Sequence, residues 1–262
     1  MIQSTFHFAN QQSPVLATAI HNGHLMPEML MKYTQIVAEE RYREEDPFTG
    51  TIAQLFENNI VLETSRFAVD LNRIREKSVY LKPEDAWGLE VRNAELPQNL
   101  QSALYHAYDS WYKVLDSQIN RLLEIHPFLV VFDVHSYNHR RGGAHAAPDS
   151  QRDNPDIILG RSNMPHQYHA LVQKLADTLN GKMVRNISLD VRCDVKFPGG
   201  NFPRHLHRNF NGRLIAIAVE FKKIFMDEHS HEVYPAFFKE LKELFHAEAM
   251  SWTQDVLLKE KL

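Results

Sequence analysis

Residues 129–143 read LVVFDVHSYNHRRGG. The first part is a nearly unbroken apolar run of strand length, the pattern expected where helices cover both faces of a sheet. It closes on Asp133, His135 and Ser136 and then passes into a segment of histidine, arginine and glycine. An apolar strand that delivers a carboxylate and an imidazole to one spot raises a question for the rest of the chain: do other strands end the same way?

Two do. Residues 13–20, SPVLATAI, form a short apolar run that leads into HNGH, with His21 and His24. Residues 214–227, LIAIAVEFKKIFMD, form another apolar strand, which carries Glu220. Between these runs lie helical patterns. The segment 27–46 opens with a proline suited to a first helical turn, and 50–59 follows as a second helix. In 96–127, Leu100, Leu104, Ala107, Trp111, Leu115, Ile119 and Leu122 fall on one helical face, and Pro127 ends the repeat. The segments 164–181, closed by Gly181, and 235–260 read as further helices. Residues 60–73, IVLETSRFAVDLNR, read as a strand pair or extended stretch, and HRRGG and FPGGNFPRHLH as glycine-containing loops. Strands alternating with helices predict an α/β fold: a three-layer αβα sandwich with a mainly parallel or mixed central sheet, organised as one domain over residues 1–262. Ligands of open α/β sheets bind beyond the carboxyl ends of the strands, so parallel packing would bring all three polar ends to one rim.

Composition narrows the function. The chain has 262 residues, 44% of them hydrophobic, enough for a substantial core. Its net charge of -4 comes from both signs spread along the chain, which argues against nucleic acid as a partner. No apolar run has the length of a membrane span. Cys193 stands alone, which rules out a disulfide framework or a thiolate zinc site within one chain and fits a reducing cytoplasm. Histidine is the anomaly, with 15 against 10 glycines, so position must decide which histidines matter.

Zinc hydrolases hold their metal with two or three imidazoles or carboxylates and keep a position open for water. A further carboxylate takes the proton from that water. His21, His135 and an acidic residue of REEDPFTG (43–50) can supply the first set and Glu220 the second. Asp133 lies two residues before His135, hence on the same face of a strand, and can instead orient a ligand from behind. Each residue alone has a plainer reading: a histidine after a strand is often structural, and Asp133 can cap a turn. Glu220 resists that reading, because an unpaired carboxylate is costly to bury. In SRFAVDLNRIREK, Arg66, Arg73 and Arg75 surround Asn72. Guanidinium groups there can grip a carboxylate through paired hydrogen bonds, or simply make a salt-bridged surface loop.

The order AIHNGH, EEDPFT, SRFAVDLNR, VFDVHSYNHRR, PDIILG, VKFPGGNFPRH and IAVEFKKIFMDE resembles the N-formylglutamate amidohydrolase family, over roughly residues 15–228. More distantly it is similar to aspartoacylase and the zinc carboxypeptidases. The resemblance implies a phosphorylase/hydrolase-like sandwich, a divalent metal with zinc the first candidate, and hydrolysis of an N-acyl amino acid such as N-formyl-L-glutamate. It places the metal on His21, His135 and Asp46, with Glu45 as competitor for the acidic ligand. His24 stands where carboxypeptidases and aspartoacylase carry a glutamate ligand. Glu220 falls at the general base, Arg66 at the oxyanion, and Asn72 and Arg73 at the substrate carboxylate. Asp70, Ser136, Arg140 and Arg141 complete the expected substrate contacts, and Asp133 supports His135. Where family members often carry a Tyr-His pair, AYDSWY has Asp109. The partner implied is a small molecule, with homo-oligomer formation left open; a peptidase or amidase acting on a larger peptide or cell-wall fragment and a non-catalytic binding protein on the same fold are the rival readings.

Overall fold

The computed structural model describes residues 2–210 and 212–259. Among the described residues nine strands form: β1 (Ser4–Phe8), β2 (Val15–Ala19), β3 (Asn58–Leu62), β4 (Leu129–Tyr137), β5 (Ile157–Gly160), β6 (Met183–Val184), β7 (Ile187–Ser188), β8 (Val191–Cys193) and β9 (Leu214–Lys222). Seven of them make one mixed sheet in the order β1-β3-β2-β4-β9-β5-β8, with β6 and β7 as a separate hairpin. The four central strands β3, β2, β4 and β9 are mutually parallel. On the flanks, β1 runs antiparallel to β3 and β5 antiparallel to β9.

Side-chain alternation builds the two helical layers. Val130, Phe132 and Val134 of β4, with Ile215, Ile217 and Val219 of β9, face the layer of α3 (Thr49–Ala53), α5 (His169–Leu179) and α7 (Pro235–Lys259). Leu129 and Val131, with Leu214 and Ala216, face α4 (Gln98–Ile125) and α6 (Asn201–Asn209). Both faces are therefore apolar, which is why these strands read as unbroken runs. The parity then carries Asp133, His135 and Glu220 onto the α4/α6 face. Thr18 stands opposite Asp133, and His135 opposite Glu220, in adjacent strands.

Four sequence expectations need correction. Residues 27–46 do not form one helix but two short ones, α1 (Glu28–Met31) and α2 (Ala38–Glu44). Between them Thr34 bridges to Arg92, in a stretch where Thr34, Ile36 and Val37 lower helix propensity. The helix expected over 50–59 stops at Ala53, and Asn58 and Asn59 already belong to β3, where pairing with β1 overrides local preference. Residues 60–73 are strand only to Leu62 and irregular beyond it. The segment FPGGNFPRHLH is not all loop, because its last seven residues lie in α6. Pro203 is the third residue of that helix, where its missing N–H is among the amides a first turn leaves unpaired. The C-terminal segment is one helix to Lys259; Glu260, the last residue expected in it, lies outside the described residues. No helix among the described residues is long and apolar enough to cross a membrane.

Candidate metal centre and active site

The carboxyl ends of β2 and β4 bring His21 and His135 to a ring separation of 4.7 Å. Each imidazole is held from behind by a buried carboxylate. His21 Nε2 contacts Asp70 Oδ1 at 2.7 Å, and His135 Nε2 contacts Asp133 Oδ2 at 2.8 Å. Asp70 is itself fixed by Arg66 Nη2 at 2.8 Å and by the Tyr80 hydroxyl, and Asp133 accepts from Thr18 Oγ1 at 2.8 Å. Burial works to raise Asp70, but the Arg66 guanidinium and His21 outweigh it and hold the carboxyl well below the usual range.

These contacts use up both Nε2 atoms and aim both Nδ1 atoms at Asp46. Asp46 Oδ2 lies 2.9 Å from His135 Nδ1 and 3.5 Å from His21 Nδ1. The Asp46 backbone N–H donates to the His21 carbonyl at 3.0 Å, so the loop after α2 is laced to the end of β2. Burial pushes Asp46 up, but hydrogen bonds from His135 and His21 win and hold it well below the usual carboxylate range. One atom from each of the three residues lies within 4.8 Å of the others. Two imidazole nitrogens, each ring backed by its own carboxylate, and a carboxylate oxygen are a donor set that fits a divalent cation of the zinc class.

Glu45 and His24 are not brought into this cluster. Glu45 turns away from Asp46 and accepts from the Ser65 hydroxyl, while its other oxygen lies 2.5 Å from His24 Nδ1. Glu220 stands beside His135 on the next strand and lines the same pocket. Burial pushes its carboxyl up to about 7, with Asp46 adding to the rise against the opposing pull of His135.

The pocket over this rim has a volume of about 600 Å³ and includes Arg66, Asn72, Arg73, Ser136 and Arg141 in its wall. The Asn72 side chain is fixed by α6: Phe202 N donates to Asn72 Oδ1 at 3.0 Å, and Asn201 N donates to the Asn72 carbonyl at 3.0 Å. With Oδ1 so used, Nδ2 lies 3.5 Å from His135 Nε2, and the residue lines the pocket. Gly200 permits this approach, since a Cβ there would fall 2.0 Å from Asn72 Oδ1. Arg73 is half-exposed, and its nearest carboxylate, Asp70, is 4.0 Å away. Ser136 Oγ is buried without a hydrogen-bond partner. Asp70 sits behind His21 with no exposed surface, and Arg140 is turned to Asp227 at 2.8 Å, so neither forms part of the pocket wall. Asp109 pairs with Arg75 at 2.8 Å, outside the pocket.

Several lining residues had no signal in the sequence. Lys223, just past β9, is buried, and its Nζ donates to the carbonyls of Arg43 at 2.6 Å and Glu45 at 2.8 Å. It thereby clamps the end of α2 directly before Asp46. Burial lowers its ammonium to about 8. Glu44 is buried between Arg43, Asn138 and the Trp87 indole. Lysine and glutamate in EFKK and REED look like surface residues in sequence, and only the fold turns them inward.

An αβα sandwich with a His-Asp-His cluster and a neighbouring carboxylate on its strand ends is the arrangement of a hydrolase. The family model described as N-formylglutamate amidohydrolase matches residues 13–226, and the chain belongs to that family. The structure is similar to the crystal structure of N-formylglutamate amidohydrolase from Ralstonia eutropha JMP134, with a TM-score of 0.71 and 12% identity over 97% of this chain and 98% of that one. It is also similar to that of a gene product from Agrobacterium tumefaciens, with a TM-score of 0.66 and 18% identity over 95% of each chain. At these identities the likeness establishes the fold. No curated protein matches the sequence.

Proposed function

We propose that the protein is a metal-dependent amidohydrolase that cleaves an N-acyl amino acid, of which N-formyl-L-glutamate is the type, into the carboxylic acid and the free amino acid. The observation that carries the reading is the convergence of one ligand atom each from His21, Asp46 and His135 within 4.8 Å, with Glu220 on the strand next to His135. His21, Asp46 and His135 would hold the cation. When bound, a divalent cation supplies Lewis acidity that polarises the amide carbonyl and makes water a stronger acid near neutral pH.

The chain's own residues supply the rest. Glu220, with its carboxyl near 7, is suited to accept the proton of the attacking water and return it to the leaving amine. Arg66, lining the pocket beside Asp70, is suited to steady negative charge on the carbonyl oxygen. Asn72 Nδ2 and the half-exposed Arg73 guanidinium are the donors for the substrate α-carboxylate, and holding it fixes the amide over the rim.

The test is elemental analysis of the purified protein together with release of free amine from a panel of N-formyl, N-acetyl and N-succinyl amino acids. A stoichiometric metal lost in His135→Ala, with turnover lost but metal retained in Glu220→Gln, is the expected result. Near-normal turnover by Glu220→Gln overturns the base assignment, and absence of metal under every preparation overturns the reading as a whole.

A further inference from the structure

The segment that carries Asn72 and Arg73 lies outside any helix or strand, so no ladder of backbone hydrogen bonds fixes its shape. Three consecutive carbonyls of this segment are instead each taken by a donor from elsewhere in the fold. Tyr112 Oη donates to the Leu71 carbonyl at 2.6 Å, Asn201 N to the Asn72 carbonyl at 3.0 Å, and Tyr108 Oη to the Arg73 carbonyl at 2.9 Å. The amides are satisfied within the loop, Asn72 N by Asp70 Oδ1 at 2.7 Å and Arg73 N by the Asp70 carbonyl at 3.3 Å. The backbone on both sides of the Asn72 side chain is thus tied at every polar atom named, and the outer ties come from α4 and α6.

Tyr108 and Tyr112 stand four residues apart on α4, hence on one face, with ring centres 4.7 Å apart. Asn201, the first residue of α6, joins them. Its Nδ2 lies 3.2 Å from Tyr108 Oη and 3.5 Å from Tyr112 Oη, while its backbone N–H holds Asn72. Both tyrosines are buried. A phenylalanine would fill the same space, and a buried hydroxyl is costly unless it is bonded, so what the two hydroxyls add is their pair of bonds to the loop. Burial pushes the Tyr108 hydroxyl up to about 12 and lifts that of Tyr112 well above its ordinary value, which keeps both protonated as donors near neutral pH. Neither tyrosine belongs to the pocket wall, so any effect they have on a bound molecule passes through residues 71–73.

We propose that Tyr108, Tyr112 and Asn201 are positioning residues, a clamp on the 71–73 backbone that sets Asn72 Nδ2 and the Arg73 guanidinium in place for the substrate α-carboxylate. Donors ordered before binding need not be ordered during it, so the clamp lowers the entropic cost of holding the substrate. Arg73 gains most, because its long side chain is half-exposed and its nearest carboxylate is 4.0 Å away, so its reach is set by where its backbone is fixed. This role rests on the amidohydrolase reading above and on its placement of the α-carboxylate.

The experiment compares N-formyl-L-glutamate with the same compound amidated at its α-carboxyl, in the parent and in Tyr108→Phe, Tyr112→Phe and the double variant. Turnover is read with the metal-loaded enzyme, and amide hydrogen exchange over residues 71–73 by mass spectrometry. Tyrosine to phenylalanine keeps each ring and removes only the hydroxyl. Expected for the free acid is a loss in kcat/KM on the order of tenfold in each single variant and 100-fold in the double, carried mainly by KM, with faster exchange over 71–73. The amidated compound should lose much less, and metal affinity by calorimetry should stay at the parent value. An equal loss for both compounds, or no loss in any variant, overturns the clamp. A parent that turns over the free and amidated compounds alike, or neither, overturns instead the placement of the α-carboxylate or the amidohydrolase reading. Exchange then decides the clamp separately: unchanged rates in the double variant overturn it, and faster rates uphold its hold on the loop.

Discussion

His21 Nε2 and Asp70 Oδ1 lie 2.7 Å apart, with Asp70 wholly buried behind the imidazole. A carboxylate in that position favours the proton on Nε2, so a cation bound at the rim would take the place of the Nδ1 proton now directed at Asp46 and leave Nδ1 to ligate it. His135 is treated the same way by Asp133. The two histidines thus present the same nitrogen, Nδ1, to Asp46.

Replacing either supporting carboxylate should therefore weaken metal binding without touching a ligand. Asp133→Asn and Asp70→Asn are each expected to lower metal affinity about 10–100-fold, the usual cost of losing such a partner. Asp70→Asn should also lose stability, because it leaves the part-buried Arg66 guanidinium without its carboxylate partner. Isothermal titration with the metal reads the affinity, and urea unfolding of the metal-free proteins separates it from stability. Unchanged affinity in both variants would show that the carboxylates serve packing alone.

A second prediction concerns Gly200. An added methyl there meets Asn72 Oδ1 at 2.0 Å, and Asn72 cannot yield freely, because Phe202 N and Asn201 N hold it from the α6 side. Gly200→Ala should displace the Asn72 amide and with it the neighbouring Arg73. Misplacing a positioning group by about 1 Å can cost on the order of 100-fold, so kcat/KM for substrates with a free α-carboxylate should fall by one to two orders of magnitude, mostly through KM. Substrates with the carboxylate amidated should lose much less. An equal loss for both kinds would contradict the positioning role of this contact.

Much of the rim was legible because apolar runs are: the strands around Val131 and Ile217 announce themselves, and whatever polar residue follows them must lie at their ends. The choice among His24, Glu45 and Asp46 was not. Adjacent residues in a loop point in different directions according to backbone angles, and at the end of α2 Glu45 takes an extended conformation, with φ -81 and ψ 176, that turns its side chain to His24. Asp70 was misjudged for a related reason: within DLNR no period tells which side chain faces the pocket and which lies beneath it. Lys223 was invisible because a lysine after a strand is normally solvated, and its burial follows only from the return of Arg43 and Glu45 over the sheet end.

The last prediction links pH to the segment that carries Arg141. Glu228 is fully buried and accepts from the backbone N–H groups of His139 at 2.8 Å and Arg140 at 3.2 Å and from Arg43 Nη2 at 2.7 Å. Burial alone would raise its carboxyl, but the His139 and Arg43 donors prevail and lower it to about 2 from an ordinary value of 4.5. A carboxyl depressed in the folded state stabilises the fold above its unfolded pKa and loses that contribution as pH falls to the folded value. The window is thus pH 4.5 down to about 2, and at about 1.4 kcal/mol per pKa unit the contribution at stake is about 3.5 kcal/mol. Glu228→Gln should be less stable than the parent at pH 7, and the gap should close as both are acidified through this window. Urea unfolding followed by tryptophan fluorescence at several pH values measures it; a gap that stays constant from pH 7 to 2.5 would mean that Glu228 acts through packing and neutral hydrogen bonds, not through its charge.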